Sequence, residues 1–378
     1  MSKQSTINTM LDQVKTLVDQ IKAVNTPVPP GPPPPPPPPP PPVPSPDGVP
    51  SITAVSAAPV NGWPVTITGT NFGTKANPQP WKWDDMNGAN GDRLEPRGWL
   101  VHQNAPQPTL SNAQARPGRR TSVQLGQTGP DVPDFAFGDN GQNYLDLTAA
   151  STPNLRTPPT PLLIDYWLYF VNGAGMRNYK FWRWHTYNNP SSDNRYWSIP
   201  AGSSGDESST MTYFNSIGVK KIHGKWTHHR VYLRPSSRQA DVFFEHAIDQ
   251  RIYMTTGPNG TYVPTDVGFS SGPWPTVGAG DRLSTFVWEM QSLDGGSAVT
   301  KMFISDVAVD DGYGAVYLGS APTWAGSSHT EYQPYSAWAN GAITVKVNKG
   351  SFPAGPAWLY VVSDSRAVNA SGFPVAMQ

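Results

Sequence analysis

The stretch SITAVSAAPVNGWPVTITGTNFGTK, Ser51–Lys75, decides the fold class. Apolar and polar residues alternate through it, which sends successive side chains to opposite faces of an extended strand. Pro59, Gly62 and Pro64 interrupt it, and Asn71 and Gly73 end it, as turn formers do. Near the other end of the chain, AITVKVNKGSFPAGPAWLYVVSDSRAVNASGFPVAM (Ala342–Met377) shows clear strands set apart by GSFPAG and SDSRAVNASG. Composition agrees: Gly 35, Pro 43 and abundant Trp and Tyr favour β-structure. Glutamate is confined to Glu95, Glu207, Glu245, Glu289 and Glu331, whereas long helices spend Glu on their exposed faces. The expected fold class is mainly β.

Val65–Gly73, reading VTITGTNFG, resembles a strand near the opening of IPT/TIG domains, which are immunoglobulin-like sandwiches. The usual continuation does not follow. PWKWDDMNGANGDRL (Pro80–Leu94) looks instead like the first strand of a different β-domain. Ala342–Met377 resembles the closing strands of such a sandwich, with Ser363 and Arg366 where the pattern has Asp and Gly. The resemblance implies one Ig-like domain, 51–76 plus 313–378, split by an insertion. The competing reading is two independent units, but a segment as short as 51–76 cannot form a sandwich alone. The insertion, 77–312, resembles a concanavalin A/laminin-G-like jelly roll in Thr160–Asn172, Asn178–His185, Gly224–Ser237 and Met302–Gly314.

Working outward, residues 27–50 are a linker. Pro32–Pro42 is unbroken proline, and polyproline II rises about 3.1 Å per residue, so the run spans roughly 34 Å. Before it, in 1–26, Ile7, Met10, Val14, Leu17, Ile21 and Val24 repeat at 3-4-3-4-3, the seam of a short coiled coil. Leu11 and Val18 widen that stripe, which favours three or more helices, or a bundle docked on another surface, over a single helix folded back on the β-domain. So short a helix is marginal alone. The expected assembly is a homotrimer gathered at an anchor helix, with a stalk and a β-head.

The 378 residues carry 27 Lys+Arg and 27 Asp+Glu, so no basic excess points to nucleic acid. The absence of Cys excludes disulfides, thiolate metal sites and a Cys nucleophile. Residues 1–27 lack the apolar core of a signal peptide, and no run is apolar enough for a membrane span. Export by cell lysis, as phage structural proteins leave, fits this.

Candidate chemistry is sparse. No Glu-x-Asp-x-x-Glu run of the glycosidase type occurs, and the catalytic set is expected to be empty. A polysaccharide lyase needs a His or Tyr base and a cation to neutralise a uronate. Lys180, Arg183, His185, Tyr187, His228 and Arg230 could supply these if two strands line one groove. Sugar binding needs aromatic platforms beside polar groups, which nominates Lys180, Trp182, Arg183, Trp184, His185, His228 and Arg230. Tryptophans from Trp81 to Trp358 widen the choice, and alternation alone does not select among them. Asp84, Asp85 and Asp306 are candidates for a structural calcium, and no other cofactor is expected.

The anchor, stalk and head order resembles bacteriophage head-fibre and decoration proteins. The resemblance implies a non-enzymatic structural protein at the virion surface. It would attach to a capsid or other virion protein through the helix and display a carbohydrate-binding-like head to cell-surface glycans. The alternatives are a stalk-borne polysaccharide lyase and a bacterial surface or matrix adhesin.

Overall fold

The computed structural model of the protein describes residues 12–16, 18–19, 48–101, 108–126, 135–138, 161–171, 179–187, 196–201, 224–234, 243–256, 261–264, 272–273, 282–292 and 301–378. The chain divides into two units, Met1–Pro40 and Pro41–Gln378. In the first, 12–16 and 18–19 are helical, and Thr16 Oγ1 donates to the Asp12 carbonyl at 2.9 Å. Val14 and Val18 are exposed on this helix. Ile7, Met10, Leu17, Ile21, Val24 and the proline run lie outside the described residues.

The second unit is mainly β, with antiparallel sheets and only short 3-10 turns among its described residues. Two four-stranded sheets draw on both ends of the unit. One orders β1 (Ser51–Val55), β2 (Pro64–Thr70), β21 (Ala342–Lys346) and β20 (Tyr335–Ala339). The other orders β19 (Thr330–Tyr332), β18 (Ala315–Gly319), β22 (Gly355–Val362) and β23 (Phe373–Met377). The pairing of Val65 with Val345 and Ile67 with Ile343 joins segments far apart in sequence. Alternation explains the core: Val65, Ile67, Ile343 and Val345 meet Val316, Leu318, Leu359 and Val361 from the facing sheet.

The intervening chain builds two more sheets. A five-stranded one orders β10 (Tyr196–Ala201), β9 (Tyr179–Tyr187), β16 (Arg282–Ser292), β7 (Phe135–Gly138) and β4 (Leu100–Val101). A ten-stranded one runs β15 (Gly272–Pro273), β14 (Thr261–Pro264), β13 (Arg251–Thr256), β12 (Phe243–Ile248), β11 (Trp226–Arg234), β8 (Leu162–Phe170), β17 (Lys301–Asp310), β6 (Ser122–Gly126) and β5 (Thr109–Ser111), with β3 (Lys82–Asp84) also on β17.

The sheets stack as layers. Tyr166 of β8 packs edge-on against Trp288 of β16, so one face of the ten-stranded sheet meets the five-stranded sheet. Its other face, through Leu163, Tyr232 and Ala308, packs on Tyr317, Tyr332 and Tyr360 of the sandwich. This explains why β8 and β18 are apolar almost throughout: both are covered on two sides.

Ionic groups fasten the junction. Arg116 donates to Asp306 at 2.6 Å and to Glu331 of β19, and lies 3.8 Å over the Trp167 ring. Arg119 also donates to Asp306, at 3.0 Å from Nε. Asp306 can serve both because β17 bulges there, with Asp306 at φ 53. Lys75 donates to Asp310 at 2.7 Å, and Asp310 accepts from Tyr335 at 2.8 Å. The loop carrying Arg116 needs glycine at 118, where φ is +84 and a Cβ would stand 2.1 Å from the Gly350 carbonyl oxygen.

Candidate functional site

Register dictates which side chains of β11 meet the sandwich. Arg230 lies opposite Asp165 and His228 opposite Trp167, so His228, Arg230 and Tyr232 share the face turned to β18 and β22. His228 is sealed there. Its Nε2 bonds Asp165 Oδ1 at 2.7 Å and its Nδ1 bonds Thr330 Oγ1 at 2.9 Å, with the ring stacked on Trp167. Tyr317 donates to the other Asp165 oxygen at 2.8 Å.

Two positions further along β11 the packing opens into a cleft of about 450 Å³. Arg230 of β11, Glu245 of β12 and Ile252 of β13 form one wall. Tyr313, Trp324, Val362 and the turn Ser365–Val368 form the other. Local rules hold these parts in place. Thr323 caps the short turn Trp324–Gly326 by accepting from the Gly326 amide at 3.2 Å. Trp324 is half-buried and its ring leans on Tyr317 and Tyr360. The Ser363 carbonyl accepts from Arg366 N at 2.9 Å, and Arg366 takes φ 71 to close the turn. Asp364 accepts from the Gly314 amide at 2.6 Å, tying the Tyr313 loop to that turn.

The cleft carries an uneven charge. Glu245 takes the Tyr313 hydroxyl and faces Arg230 at 3.5 Å and Arg366 at 3.7 Å. Arg230 is 8% exposed and lies 5.3 Å from the Tyr313 ring centroid and 5.8 Å from that of Trp324. Burial works against its charge, but Tyr313, Tyr317, Glu245 and Asp165 outweigh this and hold the guanidinium protonated. Burial pushes the Tyr313 phenol well up, so it stays protonated. Arg366 is half exposed and covers the Phe243 ring at 4.3 Å. The arrangement offers an aromatic ring and two guanidinium groups to a small polar ligand.

The lyase candidates come from two strands, and these lie in different sheets. β9 belongs to the five-stranded sheet and β11 to the ten-stranded sheet, and the His228 face of β11 is turned away from β9. The backbones of Lys180, Trp182, Arg183, Trp184 and His185 sit on β9, with Trp182 opposite Trp288 and Trp184 opposite Phe286. Their side chains lie outside the described residues. The three calcium candidates are each held by protein groups. Asp84 receives Arg97 and the Trp99 indole, Asp306 receives Arg116 and Arg119, and Asp85 bonds the Asn87 amide. Among the described residues no group of three or more His, Cys, Asp or Glu could hold a metal ion. Glu245, Tyr313 and Arg366 were missed by sequence reasoning, because only tertiary packing brings them to Arg230. Trp324 fell within the tryptophan pool without a signal to select it.

No family model and no curated protein matches the chain. Solved structures do. The cellulose-induced protein Cip1 is similar at 11% identity and a TM-score of 0.35, over 59% of this chain and 97% of that one. The alginate lyase Aly36B, in complex with alginate trisaccharide, follows at 8% and 0.34, over 61% and 97%. The alginate lyase vAL-1 from Chlorella virus gives 8% and 0.33, over 57% and 91%. The likeness is one of β-fold alone. The expectation of a non-enzymatic chain is withdrawn, because alginate lyases stand among these structures, and at this similarity they assign the chain no activity. No helix among the described residues is long and apolar enough to cross a membrane.

Proposed function

We propose that the chain is a display module whose β-head binds glycans in the Arg230 cleft. The observation that carries this is the half-buried Trp324 ring beside the Arg230 guanidinium in a cleft of saccharide size that Arg366 also lines. A sugar's apolar face stacks on an indole while its oxygens take hydrogen bonds from arginine. In this reading the heptad in 1–26 gathers copies, as a homotrimer, and attaches them to a larger particle. The proline run holds the heads off its surface. The order of anchor, stalk and head supports a virion fibre or decoration role, and several heads on one anchor would raise a weak site to useful avidity. The test is a glycan array probed with the full chain and with Trp324→Ala. Binding that falls at least tenfold in the variant supports the cleft, and unchanged binding refutes it.

A second reading has one observation in its favour. Tyr313 sets a phenol beside Arg230, and a lyase needs an acid/base group beside a cation. Release of unsaturated uronide absorbance from anionic polysaccharides would assign that activity. No absorbance from any of them would leave binding.

A further inference from the structure

We infer that the cleft selects saccharides bearing a carboxylate on the sugar ring, the uronate and sialate class. This rests on the glycan reading and narrows it. Arg230 is more than nine-tenths buried, yet its Nε has no hydrogen-bond partner among the described residues. Its ion pair with Glu245, at 3.5 Å, is longer than the roughly 2.7–2.9 Å of a charge-assisted bond. Glu245 is in turn shared with Tyr313 and Arg366. Two guanidinium groups therefore face one carboxylate in the lining of the cleft, which carries a net positive charge. A buried guanidinium held by one loose ion pair is costly, and an anionic group brought into the cleft offsets that cost.

The missing group has defined chemistry. A guanidinium presents its donors in a planar fork that matches a carboxylate in two-point contact. The Trp324 centroid lies 5.8 Å from the Arg230 guanidinium carbon. A pyranose on the indole thus places a substituent on its own ring, not on the next residue, at the guanidinium. Arg366, at the exposed rim, supplies the second positive group.

The experiment pairs acidic glycans with their carboxyl-reduced forms. Polygalacturonate, alginate, hyaluronan and sialyllactose are immobilised, each beside its reduced partner, with dextran sulfate as a carboxylate-free anion. The full chain, Trp324→Ala and Arg366→Gln are applied at fixed salt. At least one acidic member should bind tenfold or more tightly than its reduced partner and than dextran sulfate, with the margin shrinking in Arg366→Gln. Equal, Trp324-dependent binding of acidic and reduced forms would overturn this inference and leave the glycan reading standing. Dextran sulfate binding as tightly as the best acid would overturn it in favour of charge alone. Binding to none would overturn both. The wild-type comparison does not depend on any variant folding.

Discussion

At the scale of single residues, spacing marks polar side chains but not the partners they meet. Arg230 stood out as a basic residue on a strand, and its cleft is where the ring and charges converge. His228 stood out with it but is locked between Asp165 and Thr330. Asp306, a calcium candidate by composition, is paired with two arginines from a distant loop. Such choices turn on long-range contacts that spacing does not encode. Arg116→Met removes a guanidinium that serves two buried carboxylates, leaving Asp306 with Arg119 and Glu331 with His329 as their remaining partners. We expect a loss of about 3–5 kcal/mol by denaturant unfolding. Acid should act through the buried histidines. Burial lowers His246 to about 3 and His229 well below its ordinary value, so both are neutral when folded. The unfolded chain takes up those protons near 6.5, so stability is full above that pH and falls as pH drops towards 3. Burial would raise Glu331, but Arg116 and His329 hold it down to about 2, so its contribution is present above 4.5 and is lost towards 2. Asp311 opposes these. Burial and Asp310 raise it to about 6, and its neutralisation below that pH favours the fold. In Asp311→Asn, thermal melts between pH 6 and 4 should therefore fall more steeply with acid than in the wild type.

At the scale of elements, alternation made β2 and β21 legible, because each is buried on one face. β8 and β18 read only as apolar runs, since two neighbouring layers cover them. The bulge at Asp306, which lets it meet two arginines from a distant loop, left no trace in the pattern. Gly69 shows the same logic. β1 bulges between Ile52 and Ala54, and a Cβ at Gly69 would stand 1.9 Å from the Ser51 carbonyl oxygen. Gly69→Ala must push β1 away from β2, and we expect about 1–3 kcal/mol of destabilisation with the fold retained. A melt indistinguishable from the wild type would show that β1 yields freely.

At the scale of the whole molecule, the reading from sequence foresaw β-layers but not their number or order. The stacking of a ten-stranded sheet on the sandwich depends on aromatic pairs such as Tyr232 with Tyr313, which come from distant segments. The cleft exists only because those layers meet, so no local motif announces it. The anchor belongs to this scale too. Val14 and Val18 are exposed on the helix, and the heptad predicts that copies bury them together. Deleting 1–26 should convert a trimer to a monomer in sedimentation, while the head keeps its melting temperature. An unchanged mass would remove the anchor from the account.

The most direct test of the central claim is the structure of the full chain bound to the tightest saccharide found on the array. The account predicts a sugar ring against Trp324 with an oxygen group on the Arg230 guanidinium. A saccharide seated elsewhere, such as on the five-stranded sheet, with the cleft empty would contradict it.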